Sequence, residues 1–312
     1  MGKSSGTVLI AGLKRSGTTI LWETLRQDTA SHCLDEPFHP SLWAGRRENG
    51  KNTWAELGAA WNREDYAARA DLSPIQPPDE LQARSTDAQR RYMADLLSLS
   101  DRTVIDEVRI WNRLPELLPS DGQKTVIHLV RQPENWVTGH MIPLAKRKKG
   151  LAGSLSDASF FRRAGGFNNW RYEDIFNDAI ARDHPMWSPV SMTVGELARQ
   201  PAYVKLLAFW WASNLVLHRR LAAWSGGTVL TVTMAEFAND PGGVVARIHE
   251  AAGWAMPETP FDFGQVRPAR ASFKAGSGRW HDAFARLGIP AEFLAGPALE
   301  GAQVAALFDG AD

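Results

Sequence analysis

An unbroken apolar run, Val8-Leu9-Ile10-Ala11, passes without a spacer into Gly12-Leu13-Lys14-Arg15-Ser16-Gly17-Thr18-Thr19. A continuous apolar run of this kind reads as a strand buried on both faces, the sort found in parallel sheets. The two glycines frame a loop. Ile20, Leu21, Thr24 and Leu25 then give the next segment an apolar stripe at helical spacing. Strand, glycine-framed loop and helix start in this order turn backbone N–H groups and a helix N-terminus toward one point, where an anion is stabilised.

The remainder of the chain repeats the pattern. Thr103-Val104-Ile105, Val126-Ile127-His128-Leu129-Val130 and Val229-Leu230-Thr231-Val232 read as further buried parallel strands. Tyr203 to Trp224 holds no Gly or Pro and reads as a long helix. Asp240-Pro241 supplies an N-cap and a first-turn proline, and Gly253 a helix-ending position. Strand–helix alternation predicts a three-layer α/β/α fold with a central parallel sheet, as a single domain over residues 1–312. Residues 44–100 and 143–201 break the pattern and read as excursions that shape the substrate side.

Composition narrows the field. The chain has 312 residues, 35 basic and 35 acidic, so no net charge points to nucleic acid or an anionic membrane as partner. Cys33 is the only cysteine, which forbids an internal disulfide and fits a reducing compartment. No leader pattern and no run of about 18 apolar residues occurs, so a cytoplasmic protein without a membrane span is expected. His32, Asp35, Glu36 and His39 are close in sequence, but Pro37 disrupts any metal-ligand spacing, and no metal is expected.

The loop's frame, Gly-x4-Gly-Thr-Thr, lies close to the nucleotide-binding frame Gly-x4-Gly-Lys-[Ser/Thr]. Thr18 occupies the lysine position, and the basic charge sits earlier, at Lys14 and Arg15. Such a loop suits one phosphate better than a triphosphate with its Mg²⁺. Arg15, Ser16, Gly17, Thr18 and Thr19 match the 5′-phosphosulfate loop of sulfotransferases, which the segment resembles; Lys14 stands where that family usually has proline.

Three later segments extend the resemblance in family order. Thr125–His140 is similar to the family's 3′-phosphate segment: Arg131 and Pro133 match, and an arginine at a strand end offers a planar fork of donors to a phosphate. The same arginine can instead serve a salt bridge beside a helix. Gly139 occupies the place of the usual serine, so either Thr138 takes over that contact or backbone donors suffice. Phe273–Trp280 resembles the late Arg-Lys-Gly-x-x-Gly-x-Trp segment through Lys274, Ser277, Gly278 and Trp280, with Phe273 and Ala275 as departures. Arg267 and Arg270 lie just upstream. Val232 to Gly253 resembles the strand–acidic–helix segment through Glu236, Asp240 and Pro241, and is read as architecture.

The resemblance implies 3′-phosphoadenosine 5′-phosphosulfate (PAPS) as donor and a hydroxyl or amine of a small molecule or carbohydrate as acceptor. A homodimer is compatible with it. Transfer would be an in-line displacement run by positioning and electrostatics. Lys14, Arg15, Ser16, Gly17, Thr18, Thr19, Arg131, Thr138, Gly139, Lys274, Ser277 and Gly278 would hold the donor, with Arg15 also stabilising developing charge. Leu34–Phe38 resembles the Glu-Pro segment of carbohydrate and some bacterial sulfotransferases, which implies Glu36 as the base; Asp106 is the runner-up, and His39 and His140 are weaker candidates. An ion pair of Glu36 with Arg15 or Arg46 is the structural alternative. A P-loop kinase using ATP–Mg²⁺ and a non-catalytic nucleotide-binding module are the rival readings. Trp210, Trp211 and Trp224 read as core, whereas some of Trp43, Trp54, Trp61, Trp111, Trp170 and Trp187 are candidates for an acceptor wall. The basic run 146–149 reads as a solvated loop.

Overall fold

The computed structural model describes residues 6–40, 75–119, 123–141, 159–167, 171–267, 278–294 and 299–311. In chain order these form β1 (Gly6–Gly12), α1 (Thr18–Leu25), β2 (His32–Asp35), α2 (Asp87–Leu97), β3 (Arg102–Glu107), β4 (Lys124–Val130), α3 (Pro133–Met141), α4 (Tyr172–Ala181), α5 (Ala202–Ala222), β5 (Thr228–Thr233), α6 (Pro241–Ala251), α7 (Gly278–Leu287) and α8 (Gly301–Asp309), with shorter turns of helix between them.

The five strands make one parallel sheet in the order β2-β3-β1-β4-β5. Alternation along β1 explains the layering. Leu9 and Ala11 join one apolar cluster with α2, α3, α4, α5, α7 and α8. Val8 and Ile10 join the opposite cluster, with Leu21, Trp22 and Leu25 of α1 and Val244, Val245 and Ile248 of α6. Helices therefore cover both faces of a parallel sheet, the three-layer arrangement expected from the alternating runs.

The predicted punctuation is in place. Asp240 caps α6 by accepting from the Gly243 N–H at 2.9 Å, Pro241 opens the helix, and Gly253 follows its end with a φ of 68°. The later part of 44–100 and the described parts of 143–201 also pack into the α5-side cluster, through Tyr92, Met93, Leu96, Ile175 and Phe176. Trp210 and Trp211 are buried core, and so are Trp111 and Trp187; Trp224 packs against the same cluster partly exposed. Trp43, Trp54, Trp61, Trp170 and the 146–149 run lie outside the described residues. Among the described residues, no helix is long and apolar enough to cross a membrane.

β1 lies at the centre, with β3 on one side and β4 on the other. The chain order reverses there, and the crevice at the carboxyl ends of strands beside such a switch point is where ligands bind in open α/β sheets.

Candidate functional site

Every strand ends on the same edge of the sheet, and the strand-end residues meet there. After β1 the chain turns through Leu13–Gly17, with Ser16 N–H donating to the Leu13 carbonyl at 2.9 Å. Gly17, at φ 99°, is the N-cap of α1, and no side chain caps that helix. A Cβ at Gly17 would run into Met234 Sδ. Arg15 is exposed and holds a left-handed φ of 71°. Ser16 is fully buried, and its Oγ has no hydrogen-bond partner among the described residues.

Arg131, one residue beyond β4, closes the loop from the other side: its Nη1 donates to the Arg15 carbonyl at 2.7 Å. Its Nε is buried and unpartnered among the described residues. Burial, and then the nearby Arg15 charge, push the Arg131 guanidinium down to about 10. Two arginines, a buried hydroxyl and an uncapped helix N-terminus thus converge with a surplus of donors and positive charge, which is what an anion requires. Thr18 is buried at the start of α1, and Thr19 beside it is half-buried.

The loop rests on a rigid aromatic base. Trp136 Nε1 and His140 Nε2 reach the Lys14 carbonyl at 2.9 and 3.2 Å, and the Lys14 N–H donates to Tyr172 Oη at 3.0 Å. Facing a carbonyl, His140 Nε2 must carry the proton. Burial pushes the His140 imidazole down to about 3, so it stays neutral and braces the loop. Lys14 itself turns inward. Its ammonium pairs with Glu80 and lies 5.1 Å from the Tyr172 ring centroid, both partners buried. Burial lowers the Lys14 pKa and raises that of Glu80, each against the other's pull. The loop's outward charge is therefore Arg15, and Lys14 anchors it from beneath.

On α3, Thr138 Oγ1 donates back to the Glu134 carbonyl at 2.7 Å, so its hydroxyl is engaged within the helix. Among the described residues a Cβ at Gly139 would meet only Arg131 Nη1, at 3.8 Å, so α3 lies beside the arginine at Gly139. Gly278 begins α7 in open space, while Lys274, Ser277 and Arg270 lie outside the described residues. Burial raises the Glu134 carboxyl, and the His281 charge of α7 partly reverses this. Arg267 is exposed.

A second charged group lies at the ends of β2 and β3. Glu36, with a left-handed φ of 47°, donates its N–H to the Asp106 carbonyl at 2.8 Å. Its carboxylate pairs with Arg109 and lies 3.9 Å from His39 Nε2. Among the described residues, the arginine that pairs with Glu36 is Arg109, not Arg15; Arg46 lies outside the described residues. Glu36 stays partly open, with 18% of its side chain exposed, whereas Asp106 is fully buried within β3. Burial opposes charge on Arg109, but Glu36, Glu107 and Glu80 outweigh it and raise its pKa. Glu107 accepts from the Phe38, Val108 and Arg109 N–H groups, each at 2.9 Å, and burial lifts it to about 7 against the pull of Arg109.

Of the candidates read from the sequence, the fold brings Arg15, Ser16, Gly17, Thr18, Arg131 and Gly139 together at one mouth. Glu80, Glu107 and Arg109, the buried charges beside it, were not among those candidates. The only local sign of the last two is a charged Asp-Glu-Val-Arg stretch straight after an apolar run. Among the described residues, no group of three or more His, Cys, Asp or Glu side chains is placed to hold a metal ion.

No protein-family profile matches this chain, and no curated protein sequence does. Two solved structures are similar in outline. The sulfotransferase domain from the Synechococcus PCC 7002 olefin synthase is 13% identical with a TM-score of 0.43, over 99% of this chain and 95% of that one. The sulfotransferase domain from the curacin biosynthetic pathway is 13% identical with a TM-score of 0.45, over 100% of this chain and 93% of that one.

Proposed function

We propose that this chain is a sulfotransferase that moves a sulfuryl group from PAPS to a hydroxyl or amine of a small-molecule or carbohydrate acceptor. One observation carries the reading: Arg15 and Arg131 converge on a loop at the uncapped N-terminus of α1, joined through the Arg15 carbonyl. Two separate cationic donors suit a nucleotide with phosphates at both ends of its ribose. The loop's Thr18, where an ATP-binding loop has lysine, fits a single phosphate at α1.

The donor supplies an activated sulfuryl group on its 5′-phosphate. The chain's own residues supply position and charge. In this reading the α1 N-terminus, Ser16 and the two threonines hold the 5′-phosphate, and Arg131, with the Gly139 face of α3, holds the 3′-phosphate. The acceptor oxygen forms a bond to sulfur as the bond from sulfur to the 5′-phosphate oxygen breaks. Arg15 stabilises the charge gathering on that leaving oxygen. The acceptor proton passes to the Glu36 carboxylate, the half-open carboxylate on this edge; the burial of Asp106 disfavours it for that role.

A kinase reading has one feature in its favour. Asp106 sits on β3 next to β1, in register with Ile10, where a Mg²⁺-binding carboxylate would serve a triphosphate. The two readings separate by assay. Sulfur-labelled PAPS should transfer label to a phenol or a simple sugar. Arg15→Ala should reduce that turnover by about 10²–10³-fold, the usual cost of one electrostatic donor. Glu36→Gln should bind donor but turn over poorly. Consumption of ATP–Mg²⁺ with no transfer from PAPS would reverse the reading.

A further inference from the structure

We infer that Arg109 is a positioning residue, which with Glu107 forms a buried bracket that aims the Glu36 carboxylate at the acceptor. The inference rests on the sulfotransferase reading, and it adds two residues which that reading does not use.

The geometry is specific. The loops after β2 and β3 carry Glu36 and Arg109, 73 residues apart in sequence, and the two side chains pair. Glu107 ties those loops together. One of its oxygens accepts from Phe38, two residues beyond Glu36, and the other accepts from the backbone of Arg109 itself. Glu36 cannot reach this place with ordinary backbone: its φ of 47° lies in the left-handed region, where a side chain is strained unless its surroundings over-determine it. Glu36 N–H to Asp106 carbonyl and Phe38 N–H to Glu107 supply that over-determination. Arg109 and Glu107 are 5% and 2% exposed, too deep to meet an acceptor themselves. The Arg109 Nη1 contact to Glu36 Oε2, together with the backbone ties of Glu36 and Phe38, holds the carboxylate in place. Behind Arg109 the charges continue to alternate. Glu80 acts on Arg109 and pairs with Lys14 of the donor loop, so the same buried set stands under both halves of the site.

The test compares wild type, Arg109→Met, Arg109→Lys and Glu107→Gln in the full chain. Donor binding is read by calorimetry with 3′,5′-ADP, and turnover as PAPS consumption with p-nitrophenol supplied. Arg109→Met should lower kcat about 100-fold, the scale of a misplaced reacting group, while 3′,5′-ADP affinity stays within about twofold. Arg109→Lys should recover part of the loss. Unchanged kcat in Arg109→Met, or kcat and donor affinity falling together, overturns the bracket. If Arg109→Met does not fold, Arg109→Lys and Glu107→Gln carry the comparison with the same criteria. If wild type neither binds 3′,5′-ADP nor consumes PAPS, the sulfotransferase reading fails by itself. The bracket is then judged from a crystal structure of Arg109→Lys: a displaced Glu36 carboxylate upholds it, and an unmoved one refutes it.

Discussion

Single residues set the geometry of the loop after β1, and Gly17 shows how narrowly. Its φ of 99° suits glycine, and an added Cβ would strike Met234 Sδ. Gly17→Ala should cost at least about 1–2 kcal/mol from the backbone alone, measured by urea unfolding. Met234→Ala in the same chain should recover the collision but not the backbone cost. At Gly139 the outcome is opposite. Only Arg131 Nη1 comes within reach of a new Cβ, so Gly139→Ser should fold with stability changed by less than about 1 kcal/mol. In the sulfotransferase reading it should tighten 3′,5′-ADP binding, by giving Arg131 a hydroxyl neighbour at the 3′-phosphate. Calorimetry on the purified variant checks this. Weaker binding would remove Gly139 from the donor site.

Elements differ in how plainly the sequence announces them. β1, β3 and β4 each appear as a β-branched apolar run, because strands inside a covered parallel sheet are buried on both faces; β5 shows the same kind of run although it is an edge strand and only its last two residues are buried. β2 does not. It is only His32–Asp35, lies at the sheet edge and pairs with β3 alone, so four residues of mixed character carry no period. The glycine-framed loop was legible because its pattern is local: backbone, two glycines and one helix start within eight residues. The Lys14–Glu80 and Glu36–Arg109 pairs were not, since their partners are 66 and 73 residues apart and only the fold brings them together. The same distance in sequence hides that the Lys14 ammonium turns inward to Glu80.

Two elements also carry buried imidazoles, with a consequence for pH. His128 in β4 and His140 in α3 are both pushed down to about 3, by burial in the first place. The unfolded chain takes up these protons near 6.5. Folded pKa values below the unfolded ones mean that stability is complete above about 6.5 and is lost as pH falls from there toward 3. Glu107 acts in the opposite sense: raised to about 7 from an ordinary 4.5, it lowers stability as pH rises between those values. Burial raises Glu80 and Glu134 in the same sense as Glu107 and lowers His32 and His184 in the same sense as His128 and His140, so the histidine share of the acid limb of urea unfolding is read from a variant. His128→Phe should flatten that acid limb, even though Asn214, which now faces His128 Nε2 at 3.1 Å, loses its partner and costs stability at neutral pH. An equally steep acid limb in the variant would show that His128 is not its source.

At the scale of the whole molecule, the sheet order does the work. β1 lies between β3 and β4, so the α1 loop, the Arg131 strand end and the Glu36–Arg109 pair all open on one edge. A chain with no net charge, 35 basic against 35 acidic residues, gathers Arg15 and Arg131 at that edge, so the local charge there is positive although the total is zero. The overall α/β/α fold was legible from strand–helix alternation. The account stands or falls on a preference for one nucleotide. Calorimetric titration with 3′,5′-ADP, ADP and ATP–Mg²⁺ should show 3′,5′-ADP bound most tightly, with Arg131→Ala weakening it to the level of ADP. Tightest binding of ATP–Mg²⁺, or Arg131→Ala leaving 3′,5′-ADP affinity unchanged, would contradict it.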